Sequence, residues 1–153
     1  DLPPAKRLEV MEACMEYENQ YLEDHPGILY PQVAEVLQQL SWKYKLFIVS
    51  NCQKGYIEVL MRSCNLEEYI TDIECYGNTG LSKADNISMV IQRNHLDQSF
   101  YVGDTAMDAE AAADVGIPFV HAAYGFGQVN GAEAVIREFG ELLQLSKKLL
   151  GED

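Results

Sequence analysis

The sequence predicts an α/β protein whose mostly parallel sheet is covered on both faces by helices. Two observations carry that expectation. Short continuous apolar runs (KLFIVS at 45–50, SFYVG at 99–103 and the run from Pro118 to Ala122) alternate with segments of helical periodicity. A strand that is apolar throughout, rather than at every second residue, is buried on both faces, which is typical of parallel sheets with helical crossovers. Ligands bind such sheets at the carboxyl ends of the strands. The residues after each strand are therefore the first candidates for chemistry.

The elements follow in order. A helix is expected from about Pro4 to Glu23, where Val10, Cys14, Tyr17 and Tyr21 recur at helical spacing. Pro3 and Pro4 suit its first turn, and His25-Pro26-Gly27 ends it. A short amphipathic helix follows, with Val33, Val36, Leu37 and Leu40 on one face. Then come a strand at Lys45–Ser50, a helix at Tyr56–Cys64, a strand at Thr71–Tyr76 and a helix at Asp85–Asn94. A strand at Ser99–Gly103 leads to a helix at Met107–Val115, which Gly116 caps, and then to a strand at Pro118–Ala122. The stretch from Ala132 to Leu150 reads as one helix, with Val135, Ile136, Phe139, Leu142, Leu143, Leu149 and Leu150 as its apolar set.

Composition narrows the function. The 153 residues are 48% hydrophobic and 23% charged, proportions of one ordinary globular domain. The net charge of −13 argues against general nucleic-acid binding and against docking on anionic membranes. A phosphorylated small molecule stays compatible, because a bound cation and one placed Lys reverse the local field. No apolar run approaches the ~18 residues of a membrane span, and the opening residues do not read as a signal peptide. Cys14, Cys52, Cys64 and Cys75 form no CxxC pair, and His25, His95 and His121 lack HExxH spacing, so no structural zinc is expected. Four free thiols fit a reducing cytoplasm, although the number alone would also allow two disulfides. Cys52 has no His close in sequence to activate it. His121 reads as a hydrogen-bonded packing residue, and Tyr17 with Tyr21 as helix-face packing.

Three places carry candidate chemistry. Asp104 and Asp108 are four residues apart where a strand passes into a helix, a spacing that aims two carboxylates into one cleft and suits Mg²⁺. The competing reading makes Asp104 a helix cap and Asp108 a first-turn acid. Ser50 and Asn51 end a strand at a helix approach, which fits a phosphate or, equally, a cap. Lys83, on the loop after the second strand, would neutralise a phosphate oxygen or simply be solvated.

In this order, these residues resemble the haloacid dehalogenase-like phosphohydrolase superfamily. LFIVS-N with Ser50 is similar to its second motif. GLSKADNI with Lys83 is similar to the third, with Ala84 where a Pro is usual. YVGDTAMDAEAAADVGIPFV, with Asp104 and Asp108, is similar to the fourth, GDxxxD. The segment AYGFG and the tail resemble the phosphoglycolate-phosphatase-like branch. The resemblance runs from about Ile28 to Leu150. It implies a Rossmann-like three-layer α/β/α sandwich formed by residues 25–153, with residues 1–24 as the last part of a helical cap. It implies a cytoplasmic Mg²⁺-dependent phosphatase acting on a small phosphorylated metabolite. Ser50 and Asn51 would contact the phosphate, Lys83 would stabilise phosphate and nucleophile, and Asp104 would bind Mg²⁺ with Asp108 in or near its shell.

The family's first motif, DxDx[TV], supplies the nucleophile and the general acid/base, and no Asp of this chain begins a DxD pair. Its strand belongs at the sheet's centre, between KLFIVS and SFYVG. The resemblance therefore implies two strands with unpaired edges. It calls for a rearranged sheet, a partner strand such as a homodimer would give, or an N-terminal segment beyond Asp1. The chain alone is expected to be inactive. A different class of function is a non-catalytic phosphate- and Mg²⁺-binding or interaction module on a degenerate core. A phosphoacceptor receiver domain fits poorly, since Ser50-Asn51 stands where its first acidic pair would be needed.

Overall fold

The computed structural model describes residues 2–151. Its helices are α1 (Pro4–Asp24), α2 (Val33–Ser41), α3 (Tyr56–Ser63), a one-turn α4 (Tyr76–Thr79), α5 (Lys83–Arg93), α6 (Ala106–Val115) and α7 (Leu142–Leu149). The strands are β1 (Phe47–Ser50), β2 (Asp72–Cys75), β3 (Tyr101–Gly103), β4 (Phe119–Ala122) and β5 (Ala134–Ile136). Every ladder is parallel, as the apolar runs require. Helices α5 and α6 pack on each other and on the strands, while α2 and α7 close a core of Val36, Leu40, Val120, Ala122, Ile136 and Leu142.

The strands form two sheets, β1-β2 and β3-β4-β5, and β1 and β3 share no ladder. The expectation of unpaired edges is met at this place. It has a measurable consequence for burial. All four residues of β4, flanked on both sides, are buried, whereas every residue of β1 and β3 is only half-buried. One edge carbonyl finds a substitute partner: the Tyr101 hydroxyl donates to Val49 O at 2.8 Å. A backbone acceptor in a sheet interior must be satisfied somewhere, and here a side chain serves.

The tail corrects the sequence reading. Residues 132–150 are not one helix. Ala134–Ile136 pairs with Val120–Ala122 as strand β5, a 3₁₀ turn spans Phe139–Glu141, and only Leu142–Leu149 is α-helical. Two β-branched residues, Val135 and Ile136, fit a pleated edge, and Ile136 is 1% exposed between β4 and the helices. Helical periodicity counted these residues as apolar without distinguishing a three-residue strand from a helix turn.

Helix α1 forms where the sequence places it, ending one residue later than expected. None of its residues is buried, and Tyr17 and Tyr21 stack on each other at 6.4 Å while both remain exposed. The helix lies on α3, tied by Asn19 Nδ2 donating to Lys54 O (2.9 Å), by Gln53 Nε2 donating to Met15 O (3.3 Å) and by the Arg62–Glu23 ion pair.

A polar clamp that sequence reasoning missed holds β2 to α5. Arg93 donates to both oxygens of Asp72 (2.6 and 2.9 Å), to Glu74 Oε2 (2.6 Å) and to Ile73 O (2.6 Å), and Asn94 Nδ2 adds a bond to Asp72 Oδ2 (2.6 Å). Burial raises both carboxyl groups, but the Arg93 guanidinium and the amide donors outweigh it and hold them below their ordinary values of 3.8 and 4.5. A depressed folded-state pKa stabilises above the unfolded value and is lost as pH falls through the folded one. The clamp should therefore act fully above about pH 5 and fade below about pH 4. Urea titrations of the protein and Arg93→Met should differ most at neutral pH and converge in acid. A stability gap independent of pH would exclude the electrostatic origin.

Candidate active site

The site grows from the turn after β3. Thr105 caps α6, and the cap is reciprocal. The Asp108 amide donates to Thr105 Oγ1 (3.3 Å), while Asp108 Oδ2 accepts from Thr105 N (3.0 Å) and Thr105 Oγ1 (2.7 Å). The Asp104 amide also donates to Asp108 Oδ2, at 3.2 Å. Thus the cap is Thr105, not Asp104, and Asp108 is the first-turn acid of the capping box. The other carboxylate oxygen, Oδ1, accepts from the Lys83 ammonium. Both oxygens of Asp108 are therefore engaged by the protein.

Lys83 opens α5, whose own cap is Ser82, accepting from the Asp85 amide at 3.1 Å. The Lys83–Asp108 pair is withdrawn from water, with side-chain exposures of 15% and 6%. The Lys83 ammonium also stands 5.9 Å from the centre of the Tyr101 ring. Burial pushes the Asp108 carboxyl up, but the Lys83 hydrogen bond and the Thr105 donors outweigh it and hold the group below the ordinary carboxylate value. Tyr101 is shifted the opposite way. Burial and the negative charges of Asp108 and Asp104 raise its phenol, so it stays protonated and keeps donating to Val49 O.

Asp104 is cradled by a glycine loop. Its Oδ2 accepts from the Phe126 amide at 2.8 Å. A Cβ built on Gly125 would collide with the Asp104 side chain, and one on Gly127 with the Asp104 carbonyl oxygen. The loop approaches that closely because both positions lack a side chain. Tyr30 holds it from outside, its ring 5.0 Å from that of Tyr124 and its hydroxyl donating to Tyr124 O at 3.4 Å. His121, as expected, is a hydrogen-bonded packing residue, with Nε2 3.3 Å from Gly127 O.

Ser50 and Asn51 stand at the carboxyl end of β1, and the Cys52 amide donates to Ser50 Oγ at 3.3 Å. Ser50 is in register with Cys75, and the segment after Cys75 leads to Lys83. The structure thus pairs Lys83 with Asp108 and ties Asp104 to them through its backbone amide, while the Asp104 carboxylate bonds the Phe126 amide. It joins Ser50 and Asn51 to these residues through β2 and Tyr101, not by direct contact. Sequence reasoning named all five residues but not Tyr101, Thr105 or the loop at Gly125–Gly127. The AYGFG segment was the visible signal for the loop.

The donor set is compatible with a hard cation. Among the described residues no group of three or more His, Cys, Asp or Glu side chains converges. Mg²⁺ does not need one, since it is commonly held by one or two carboxylates, with water and substrate phosphate completing the shell. Asp104 is the available ligand: Oδ2 bonds an amide, and Oδ1 carries no protein donor among the bonds described.

Comparison with known proteins identifies the family and the fold. Residues 3–122 match the haloacid dehalogenase-like hydrolase family. The chain is 33% identical over 125 residues to the phosphoglycolate phosphatase of Synechococcus elongatus, covering 80% of this chain and 58% of that enzyme's length. In fold it is similar to CbbY from Rhodobacter sphaeroides, solved in complex with phosphate (TM-score 0.78, 18% identity, 93% of this chain and 68% of that one). It is also similar to the hydrolase YfnB from Bacillus subtilis, solved with magnesium (TM-score 0.70, 18% identity, 83% of this chain and 58% of that one). The chain belongs to the haloacid dehalogenase-like hydrolase family. No helix among the described residues is long and apolar enough to cross a membrane.

Proposed function

We propose that this chain forms the phosphate- and metal-binding part of a Mg²⁺-dependent phosphomonoesterase that acts on a small phosphorylated metabolite. The observation that carries the proposal is the Lys83–Asp108 pair, a cation held in a largely water-excluded setting beside Asp104 at the end of β3. An ammonium has three donors. Asp108 takes one and orients the group, leaving two for phosphate oxygens. Ser50 Oγ already accepts from the Cys52 amide, so its proton is free to be given to a phosphate oxygen. Asp108 is in this reading a positioning residue, one step removed from the metal. Asp104 holds the cation directly, and Asn51 borders the phosphate. When bound, Mg²⁺ supplies charge that neutralises the phosphate oxygens of the transition state.

The attacking group in this proposal is a carboxylate on a strand that fills the place between β1 and β3, where each sheet ends in an unpaired edge. Its oxygen bonds to phosphorus as the ester P–O bond breaks, and the leaving alkoxide takes a proton. Water then cleaves the acyl phosphate and releases inorganic phosphate. Residues 1–153 by themselves turn over no ester on this account. The 33% identity to a phosphoglycolate phosphatase supports a small phosphorylated carboxylate as substrate.

The test uses the complete gene product with a panel of small phosphomonoesters. Hydrolysis that stops on chelation with EDTA and returns with Mg²⁺ is expected. Phosphate binding without hydrolysis of any member would favour the non-catalytic module. Undiminished hydrolysis in EDTA would remove Mg²⁺ from the account.

A further inference from the structure

Cys52 and Cys75 are brought together at the ends of paired strands, and the phosphate chemistry uses neither thiol. Cys75 is the register partner of Ser50, two residues before Cys52. The Gly77 amide donates to Cys52 O at 3.0 Å, and the Cys75 thiol lies 3.8 Å from Gln53 O. A Cβ on Gly77 would collide with the backbone of Gln53 and Lys54, so no side chain separates the two segments. The exposures differ: Cys52 is half-buried and reachable, whereas Cys75 is 0% exposed. Burial raises the Cys75 thiol, and the neighbouring Cys52 thiol raises it further, so Cys75 rests protonated. Of the other cysteines, Cys14 is exposed on α1 and Cys64 faces Gly27 O and Ser63 Oγ, each at 4.0 Å.

We propose that Cys52 and Cys75 form a reversible dithiol–disulfide pair, with Cys52 as the attacking thiol and Cys75 as the resolving one. The oxidant is a small disulfide of the glutathione class. The Cys52 thiolate attacks one sulfur of oxidised glutathione, forming a mixed disulfide and releasing one glutathione thiolate. Cys75 attacks the Cys52 sulfur and expels the second glutathione as a thiolate, which takes up the proton that Cys75 loses. Two protein thiols are oxidised and one glutathione disulfide becomes two thiols. The bridge would tie the segment after Ser50 to the end of β2. The inference stands on the strand geometry and is independent of the phosphatase reading.

The experiment treats the full-length native protein with oxidised glutathione, blocks remaining thiols by alkylation, and maps peptides by mass spectrometry. The unsubstituted protein should yield a Cys52–Cys75 cross-linked peptide about 2 Da lighter than the reduced pair, reversed by dithiothreitol. Cys75→Ser should keep glutathione on Cys52, because nothing resolves it. Cys52→Ser should leave Cys75 reduced. Brief iodoacetamide treatment of the unsubstituted protein should label Cys52 well before Cys75, a readout that needs no variant. A stable glutathione adduct on Cys52 of the unsubstituted protein, or a bridge from either residue to Cys14 or Cys64, would overturn the proposal.

Discussion

On the proposed function, Asp104→Asn should lower kcat of the complete protein by about 10²–10³-fold, because it weakens the hold on the Mg²⁺ whose charge would stabilise the transition state. The substitution keeps the shape and one acceptor oxygen. The Phe126 amide therefore retains its partner, and the glycine loop at Gly125–Gly127 still closes over the side chain. What is lost is the negative charge that would attract Mg²⁺. The defect should thus appear in turnover and in the Mg²⁺ concentration needed for half-maximal rate, with the melting temperature little changed. Steady-state kinetics across a Mg²⁺ series measures both. Activity within a few-fold of the parent at equal Mg²⁺ would remove Asp104 from the metal site.

Lys83→Met should cost about 3–5 kcal/mol of stability, because it strands a buried carboxylate. Methionine keeps an apolar stem against the Tyr101 ring, so the loss is mainly of charge. Asp108, 6% exposed, would be left with only the Thr105 and Asp104 donors. The pH dependence then weakens. With Lys83 present, the Asp108 pKa is depressed, and the contribution is lost as pH falls through it. With Lys83 gone, burial is opposed by the Thr105 and Asp104 donors alone, so the depression is smaller. The gap between variant and parent should be widest at neutral pH and narrow in acid. Denaturant melts at several pH values, on Lys83→Met and on Lys83→Met with Asp108→Asn, read this directly. The second substitution should restore most of the neutral-pH loss. A single variant as stable as the parent would mean that the ion pair is not buried in solution.

Much of the site was legible because its chemistry is local. Gly103, Asp104 and Asp108 lie within six residues, and a strand-to-helix turn fixes their relation, so sequence alone places both acids at one turn. Lys83 could be named from its loop, but its partner could not. The ion pair joins residues 25 apart in sequence, and only the packing of α5 against α6 makes it. The capping box illustrates a limit of another kind. Asp104 was weighed as a cap, yet Thr105 has the extended backbone a cap requires, and one residue of phase decides the matter. Arg93 gave no signal, since a basic residue in a last helical turn is ordinary, and its carboxylate partners lie on another element. The tail failed because hydrophobic periodicity over three residues does not separate a strand from a helix turn, and pairing with β4 settled it. The unpaired edges of β1 and β3 were anticipated because the family resemblance puts between them a strand that no segment of this sequence matches.

The central claim is that Asp104, Lys83 and Ser50 serve one phosphate together with one cation. Calorimetric titration of the complete protein with inorganic phosphate, in Mg²⁺ and again in EDTA, tests it most directly. The account predicts tighter phosphate binding in Mg²⁺, with phosphate tightening Mg²⁺ by the same factor, as reciprocal coupling requires. Asp104→Asn should abolish the coupling and leave weaker phosphate binding at Lys83 and Ser50. The same phosphate affinity in Mg²⁺ and in EDTA would contradict the account.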